Sequence, residues 1–372
     1  MATVPTESLT ELFTRWLRAW TARDTAALID MYADDCTVET PTMGTLHGRQ
    51  ALEEAERKLF ANFQDIRFED TELMVADNRL VVTATVTGTD ILGNLTRPGT
   101  ALRFPAVLLW TTENGRIVKE HRLWDFSGFV LQRVERELND AAEIQRLLLP
   151  PGGLTGDGFE VAASSIPART IGGDFFDYFE VAGGGFAFTL GDITGKGPSA
   201  ALLASSVLAI LATGGHTAHP GVALEAANRA MLRRAVPGKF ATLVFATLSK
   251  DGRLTYSNAG HNPPLLVGRN GAQWLRTGGT FVGVFERAQF EEETLQLQAG
   301  DRLVVYSDGI TEARNTEDAE FGEERLVSCV DANREQAPAA LVRSILETVQ
   351  QFSSGTRQGD DLTVLVLSCS RT

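Results

Sequence analysis

The stretch FAFTLGDITGKG, residues 186–197, carries two patterns in succession. Phe186, Phe188 and Leu190 alternate with Ala187 and Thr189, the period-two signature of a strand. Gly191 and Asp192 follow directly, ahead of a glycine-rich turn, so the strand delivers a carboxylate to the rim of a sheet. One such aspartate carries little information, because Asp beside Gly is common in turns. Three more motifs of the kind stand in the same part of the chain: GGDFFD (172–177), SDG (307–309) straight after the apolar run RLVVY, and GDD (359–361) opening the run LTVLVLS. Four in one domain invite a common explanation. Carboxylates brought together repel unless cations neutralise them, and hard oxygen ligands suit Mg²⁺ or Mn²⁺ rather than zinc. The chain has no HExxH, no CxxC and five histidines, which gives a zinc hydrolase poor support. Gly191 and Gly195-Lys196 invite a P-loop reading, but residue 197 is Gly where that motif needs Ser or Thr.

Working outward, 372 residues suggest two or three domains. The formal charge of −14 repels phosphate backbones and anionic lipid, so neither nucleic acid nor a membrane is an expected partner. Cys36, Cys329 and Cys369 are far apart and odd in number, which suits a reducing compartment rather than a disulfide framework. No basic stretch followed by an apolar run opens the sequence, so a cytoplasmic location is expected. The uncharged segment Gly197–Leu224 has a continuous apolar part, Ala200–Ala212, too short for the ~20 residues of a membrane span. It reads as a buried core helix.

The texture before residue 130 differs. Leu9, Leu12, Phe13, Trp16, Leu17 and Trp20 have helical spacing, and further helices are expected over Thr25–Tyr32 and Gly48–Phe63. Strands are expected over Cys36–Thr40, Ile66–Val75, Arg79–Asp90, Gly99–Glu113 and Arg116–Phe126, with hairpin turns at Asp77-Asn78 and Asn114-Gly115. From Val130 to Leu149 one long helix carries Leu131, Val134, Leu138, Ala141 and Leu148 at heptad positions, interrupted by Gln145 and stopped by Pro150-Pro151. That stripe fits either a helix lying on one domain or a homodimer contact.

Two resemblances sharpen this reading. The opening amphipathic helix, DTAALIDMYADD (24–35) and NGRIVKEHRLWDFSGF (114–129) resemble the SnoaL-like, nuclear-transport-factor-2-like family over Glu7–Phe129. That family implies a cone-shaped α+β sheet domain whose pocket sometimes holds a small ligand. His47, His121 and Asp125 are the polar candidates there, either as an isomerase or cyclase pair or, the favoured reading, as hydrogen-bonded structural groups.

GGDFFD, GDITGKG, KFATLVFATL (239–248), SNAGHNPPLL (257–266), LVVYSDGITEA (303–313) and DDLTVLVL (360–367) are similar, in this order, to the SpoIIE/RsbU-like branch of the metal-dependent (type-2C, PPM) serine/threonine phosphatases. AAEIQRLLLP (141–150) resembles the helix leading into such domains. The resemblance implies an αββα sandwich and two Mn²⁺ or Mg²⁺ ions. In it Asp192 bridges both ions, Asp308 and Asp360 complete the first site, and Asp174 with the Ile193 carbonyl holds the second. Asp361 is expected to orient its neighbours, Asp177 to do the same or simply to cap the next turn, and Arg169 to grip substrate phosphate or remain a surface residue. His261 stands as either a general acid or a structural hydrogen-bonder, and Lys196 as either a counter-charge or, preferably, the start of the next helix.

The expected organisation is a sensory or dimerising domain over 1–129, a linker helix over 130–151 and a phosphatase domain over 152–372. The implied substrate is phosphoserine or phosphothreonine on an anti-sigma-factor antagonist. The alternatives are a ligand-binding signalling scaffold with a vestigial phosphatase domain, or a bifunctional protein with a SnoaL-like isomerase or cyclase.

Overall fold

The computed structural model describes residues 8–369 other than 94–97, 151, 182–184, 215–218, 234–235 and 270. The chain divides into two compact units between Arg136 and Glu137.

In the first unit, Ser8 and Glu11 form a reciprocal cap that starts α1 (Leu9–Ala22): the Ser8 Oγ accepts the Glu11 N–H at 3.3 Å and the Glu11 carboxylate accepts the Ser8 N–H at 2.9 Å. The apolar face of α1 buries Leu12, Phe13, Trp16 and Trp20. Next come α2 (Thr25–Asp30), β1 (Tyr32–Thr40), β2 (Gly44–His47), α3 (Gly48–Asn62), β3 (Arg67–Ala76), β4 (Arg79–Asp90), β5 (Thr100–Glu113) and β6 (Arg116–Trp124). One sheet takes the order β2-β1-β6-β5-β4-β3, with β1 and β6 parallel and the other pairs antiparallel. Asp77, Asn114 and Gly115 have positive φ at the two expected hairpins. The short strand β2 was not expected, because four residues with little alternation carry no strand signal.

The inner face of this sheet departs from apolar patterning. Glu120 and Arg122 point inward from β6, whereas Leu123 is 46% exposed. Arg122 bonds Glu56 of α3 at 2.6 Å and Glu120 at 3.0 Å, and Glu120 accepts from the Tyr32 hydroxyl at 2.5 Å and the Trp110 indole at 3.1 Å. The aromatic donors serve Glu120 only: Glu56 Oε2 and the Arg122 Nε are buried without a hydrogen-bond partner.

Helix α4 (Ser127–Leu148) starts three residues earlier than the expected helix, and the unit division falls inside it. None of its residues is fully buried, and Val130, Leu131, Val134, Ile144, Leu147 and Leu148 are exposed. Pro151, half of the expected helix stop, lies outside the described residues.

The second unit continues with β7 (Gly153–Gly156), β8 (Phe159–Ile166), β9 (Phe175–Val181), β10 (Gly185–Ile193), α5 (Pro198–Gly214), α6 (Pro220–Arg233), β11 (Ala241–Leu248), β12 (Arg253–Ala259), β13 (Leu265–Gly268), β14 (Gly271–Trp274), β15 (Gly278–Gly279), β16 (Glu293–Gln296), β17 (Arg302–Tyr306), α7 (Asp308–Thr311), α8 (Gly322–Ala332), α9 (Pro338–Phe352) and β18 (Leu362–Cys369). Two sheets form, ordered β15-β12-β11-β10-β9 with β16 beside β12, and β14-β13-β17-β18-β8-β7. Phe176, Phe186, Phe188 and Leu190 from the first meet Val161, Val305, Leu365 and Leu367 from the second in a shared core. Helices α5 and α6 cover the outside of one sheet, through Ala204, Val207 and Leu224, and α8 and α9 cover the other, through Leu326, Leu341 and Ile345. The result is the expected αββα sandwich, in an α+β chain. The α5 segment buries one face only, since Leu202 is 72% exposed. No helix among the described residues is long and apolar enough to cross a membrane.

Candidate metal centre

Residues two apart on a strand share a face, so the rows that fill the shared core also decide where the acids point. Asp174 extends the row Phe176–Tyr178 of β9, Asp192 the row Phe186–Phe188–Leu190 of β10, and Asp361 the row Leu365–Leu367 of β18. All three lie at the same end of the sandwich, where the apolar filling stops. Asp308, at the end of β17, and Asp360, just before β18, complete the rim.

The close approach of these segments depends on glycine. A Cβ on Gly173 would lie 2.8 Å from the Ile193 carbonyl oxygen and 3.0 Å from Asp192 Oδ1. A Cβ on Gly309 would run into the Asp361 carbonyl oxygen. Asp361 itself brackets the site. Its carboxylate accepts the backbone N–H groups of Ala168 at 2.8 Å, Gly173 at 2.8 Å and Asp174 at 3.3 Å. The loop carrying Asp174 is thereby tied to the start of β18. Gln145 of α4 holds the same loop from another side, donating to the Gly172 carbonyl at 2.9 Å and accepting the Gly172 N–H at 3.2 Å.

Electrostatically the acids behave as one group. Burial, followed by the charges of Asp308, Asp360 and Asp361, raises Asp192 to about 7. Burial and then the Asp192 charge push Asp174 well above the usual carboxylate range, and burial and then Asp360 raise Asp308. Asp174 is 5% exposed and its Oδ2 is buried without a hydrogen-bond partner. Lys196 answers part of this charge, its Nζ lying 2.9 Å from Asp360 Oδ2 and bonded to the Gly359 carbonyl oxygen. The counter-charge reading of Lys196 is therefore the one its side chain follows; α5 begins two residues later, at Pro198.

Among the described residues, no group of three His, Cys, Asp or Glu side chains is gathered tightly enough to hold an ion by itself. The donor set nonetheless fits hard divalent cations: it is all oxygen, carries an unpartnered buried carboxylate oxygen, and is raised toward neutrality by mutual repulsion that a cation relieves. The Ile193 side chain is fully buried among Phe175, Ala200 and Ala241, leaving its backbone to face Gly173.

Other sequence candidates fall elsewhere. Asp177 is paired with Thr189 across β9–β10, is raised by burial, and accepts the Tyr178 N–H at 2.8 Å. Arg169 is exposed and has no hydrogen bond or ion pair with the described residues. His261 is buried, with Nδ1 2.9 Å from Thr242 Oγ1 and its backbone N–H on Asn258 Oδ1 at 2.7 Å. Burial lowers it to about 4, and its Nε2 is buried without a hydrogen-bond partner. In the first unit, His121 lies 3.6 Å from Glu39, Asp125 accepts the Ser127 N–H, and His47 precedes α3. The structure does not bring these three together. Gln145 was visible in sequence only as a polar break in a heptad; its grip on Gly172 needs the folded loop to be seen.

Two sheets face to face, antiparallel except for the β12–β15 pair, with helices outside and an acidic rim at one end, define a PP2C-type phosphatase fold. A solved structure, the SiaA-PP2C domain of Pseudomonas aeruginosa, matches it with a TM-score of 0.57 at 18% identity, covering 64% of this chain and 98% of that one. The chain belongs to the Stage II sporulation protein E (SpoIIE) family, whose model matches residues 182–370, and a SnoaL-like domain model matches residues 13–120. Protein IcfG of Synechocystis is 26% identical over 261 residues, 62% of this chain but 41% of that protein. Phosphoserine phosphatase RsbU of Bacillus subtilis is 25% identical over 242 residues, 64% of this chain and 71% of its own length.

Proposed function

We propose that the chain is a metal-dependent phosphoprotein phosphatase whose first unit regulates the second. The observation that carries this is the convergence of Asp174, Asp192, Asp308 and Asp360 at one end of the sandwich, with burial and mutual charge raising three of them. Asp192 would serve both ions, Asp308 and Asp360 the first, and Asp174 with the Ile193 carbonyl the second. Bound there, two Mn²⁺ or Mg²⁺ ions supply the acidity that readies a water for in-line attack and the charge that steadies the phosphoryl oxygens. Asp361 keeps the Asp174 loop in place, and Arg169 has a free guanidinium to offer a phosphate. The substrate class is phosphoserine or phosphothreonine on an anti-sigma-factor antagonist, and the exposed apolar stripe of α4 supports pairing with a second copy.

Phosphate release from a phosphoserine peptide, with Mn²⁺ and with chelator, tests the proposal. Turnover that needs the cation and vanishes in Asp192→Ala supports it; cation-independent turnover, or turnover retained in Asp192→Ala, overturns it.

A further inference from the structure

A cleft of about 580 Å³ opens beside the acidic rim. One end is closed by Gly309 and Asp360, next to Asp308, and its walls carry Glu312, Arg314, Gln350 and Arg357. The loop between α9 and β18 forms one side and is held rigidly. The Thr356 hydroxyl donates to the Arg314 carbonyl at 2.8 Å and lies 2.7 Å from that of Ser353, while the Gln358 amide bonds the Ile166 and Asp360 carbonyls at 2.9 and 2.8 Å. The groove is therefore preformed.

Its two arginines differ. Arg314 is committed to Asp318 at 3.0 Å and to Glu320 at 2.5 Å. Arg357 is exposed and makes no hydrogen bond or ion pair with the described residues. In a chain of net charge −14, an uncommitted guanidinium facing a rigid cleft beside the reaction centre is a local exception to the prevailing charge.

We infer that this cleft receives the polypeptide flanking the phosphorylated residue and that Arg357 selects flanks with an acidic side chain. The inference rests on the phosphatase reading and adds its specificity. Arg357 and Asp360 line the same cleft, so a substrate chain whose phosphate reaches the rim passes the guanidinium within a few residues of the phosphoserine. An exposed guanidinium–carboxylate contact changes affinity by up to about fivefold.

The test uses the full chain with Mn²⁺ and three substrates: p-nitrophenyl phosphate, a phosphoserine peptide with Glu two and three residues away on both sides, and the same peptide with Lys there. Wild type should prefer the acidic peptide by about fivefold in kcat/KM, Arg357→Glu should reverse the order, and Arg357→Lys should keep it. Circular dichroism and the thermal transition check that the variants fold, as an exposed position should allow. Wild-type turnover of p-nitrophenyl phosphate, with a peptide ratio unmoved by Arg357→Glu, overturns the cleft assignment and leaves the phosphatase reading standing. No turnover of any substrate overturns both.

Discussion

The side-chain amide of Gln145 pairs with both backbone groups of Gly172, two residues before Asp174. A helix with an exposed apolar stripe is thus hydrogen-bonded to the loop that presents a candidate ligand, so a change in its packing reaches the metal centre through two bonds. Gln145→Ala should free that loop. We expect faster amide exchange over residues 168–174 and a Mn²⁺ affinity weaker by roughly 5-fold or more by calorimetry, the lower bound for two bonds of about 0.5–1.5 kcal/mol each. Unchanged exchange and affinity would make the contact incidental.

Asp192→Asn should separate stability from activity. Its carboxyl is raised to about 7, so above that pH the folded protein holds a charge that burial and its neighbours oppose. In chelator at pH 8 the variant should melt no lower than wild type, and it should lose both turnover and the rise in Tm that Mn²⁺ gives wild type. A cation-induced Tm rise retained in Asp192→Asn would argue against that ligand.

His261 predicts a pH slope. Its folded value of about 4 lies below the unbound 6.5, so the unfolded chain takes up a proton between those values and the folded chain does not. Stability should rise with pH from 4 to 6.5 and be flat in this contribution above it. Urea titrations across that window should show a shallower slope for His261→Asn.

Asp361→Ala would strip three backbone N–H groups of their acceptor, at a cost of about 2–4 kcal/mol to the second unit. Asp361→Asn, which keeps one acceptor oxygen, should cost less. Urea unfolding followed by amide exchange in β8 and β18 measures both.

Arg122→Ala should leave Glu56 and Glu120 buried without their cation and destabilise the first unit by about 3–5 kcal/mol. Tryptophan fluorescence follows this unit, because Trp16, Trp20, Trp110 and Trp124 lie in it and Trp274 does not.

Alternation and turn chemistry made most strands legible: β4 and β5 keep alternating inward rows, and β10 and β18, buried on both faces, are apolar runs bounded by Gly or Asp. The rim acids were legible for the same reason: each continues or abuts such a row. Patterning failed where polar groups solved burial among themselves. On β6 the buried row carries Glu120 and Arg122 while Leu123 is exposed, because Glu56 and Glu120 give the guanidinium buried partners. Nor could patterning find Gln145–Gly172 or Asp361–Gly173, whose partners are 27 and 188 residues apart and meet through tertiary packing alone.

The Asp361 bracket also constrains the order of assembly. Strand β18 lies in the interior of its sheet, between β17 and β8, and is the last described strand to be synthesised. Until it has left the ribosome, Ala168, Gly173 and Asp174 lack the acceptor that fixes them, and β8 has only β7 beside it. A nascent chain short of residue 361 therefore carries Asp174, Asp192 and Asp308 but no assembled centre. The candidate centre thus takes shape only as the second sheet closes.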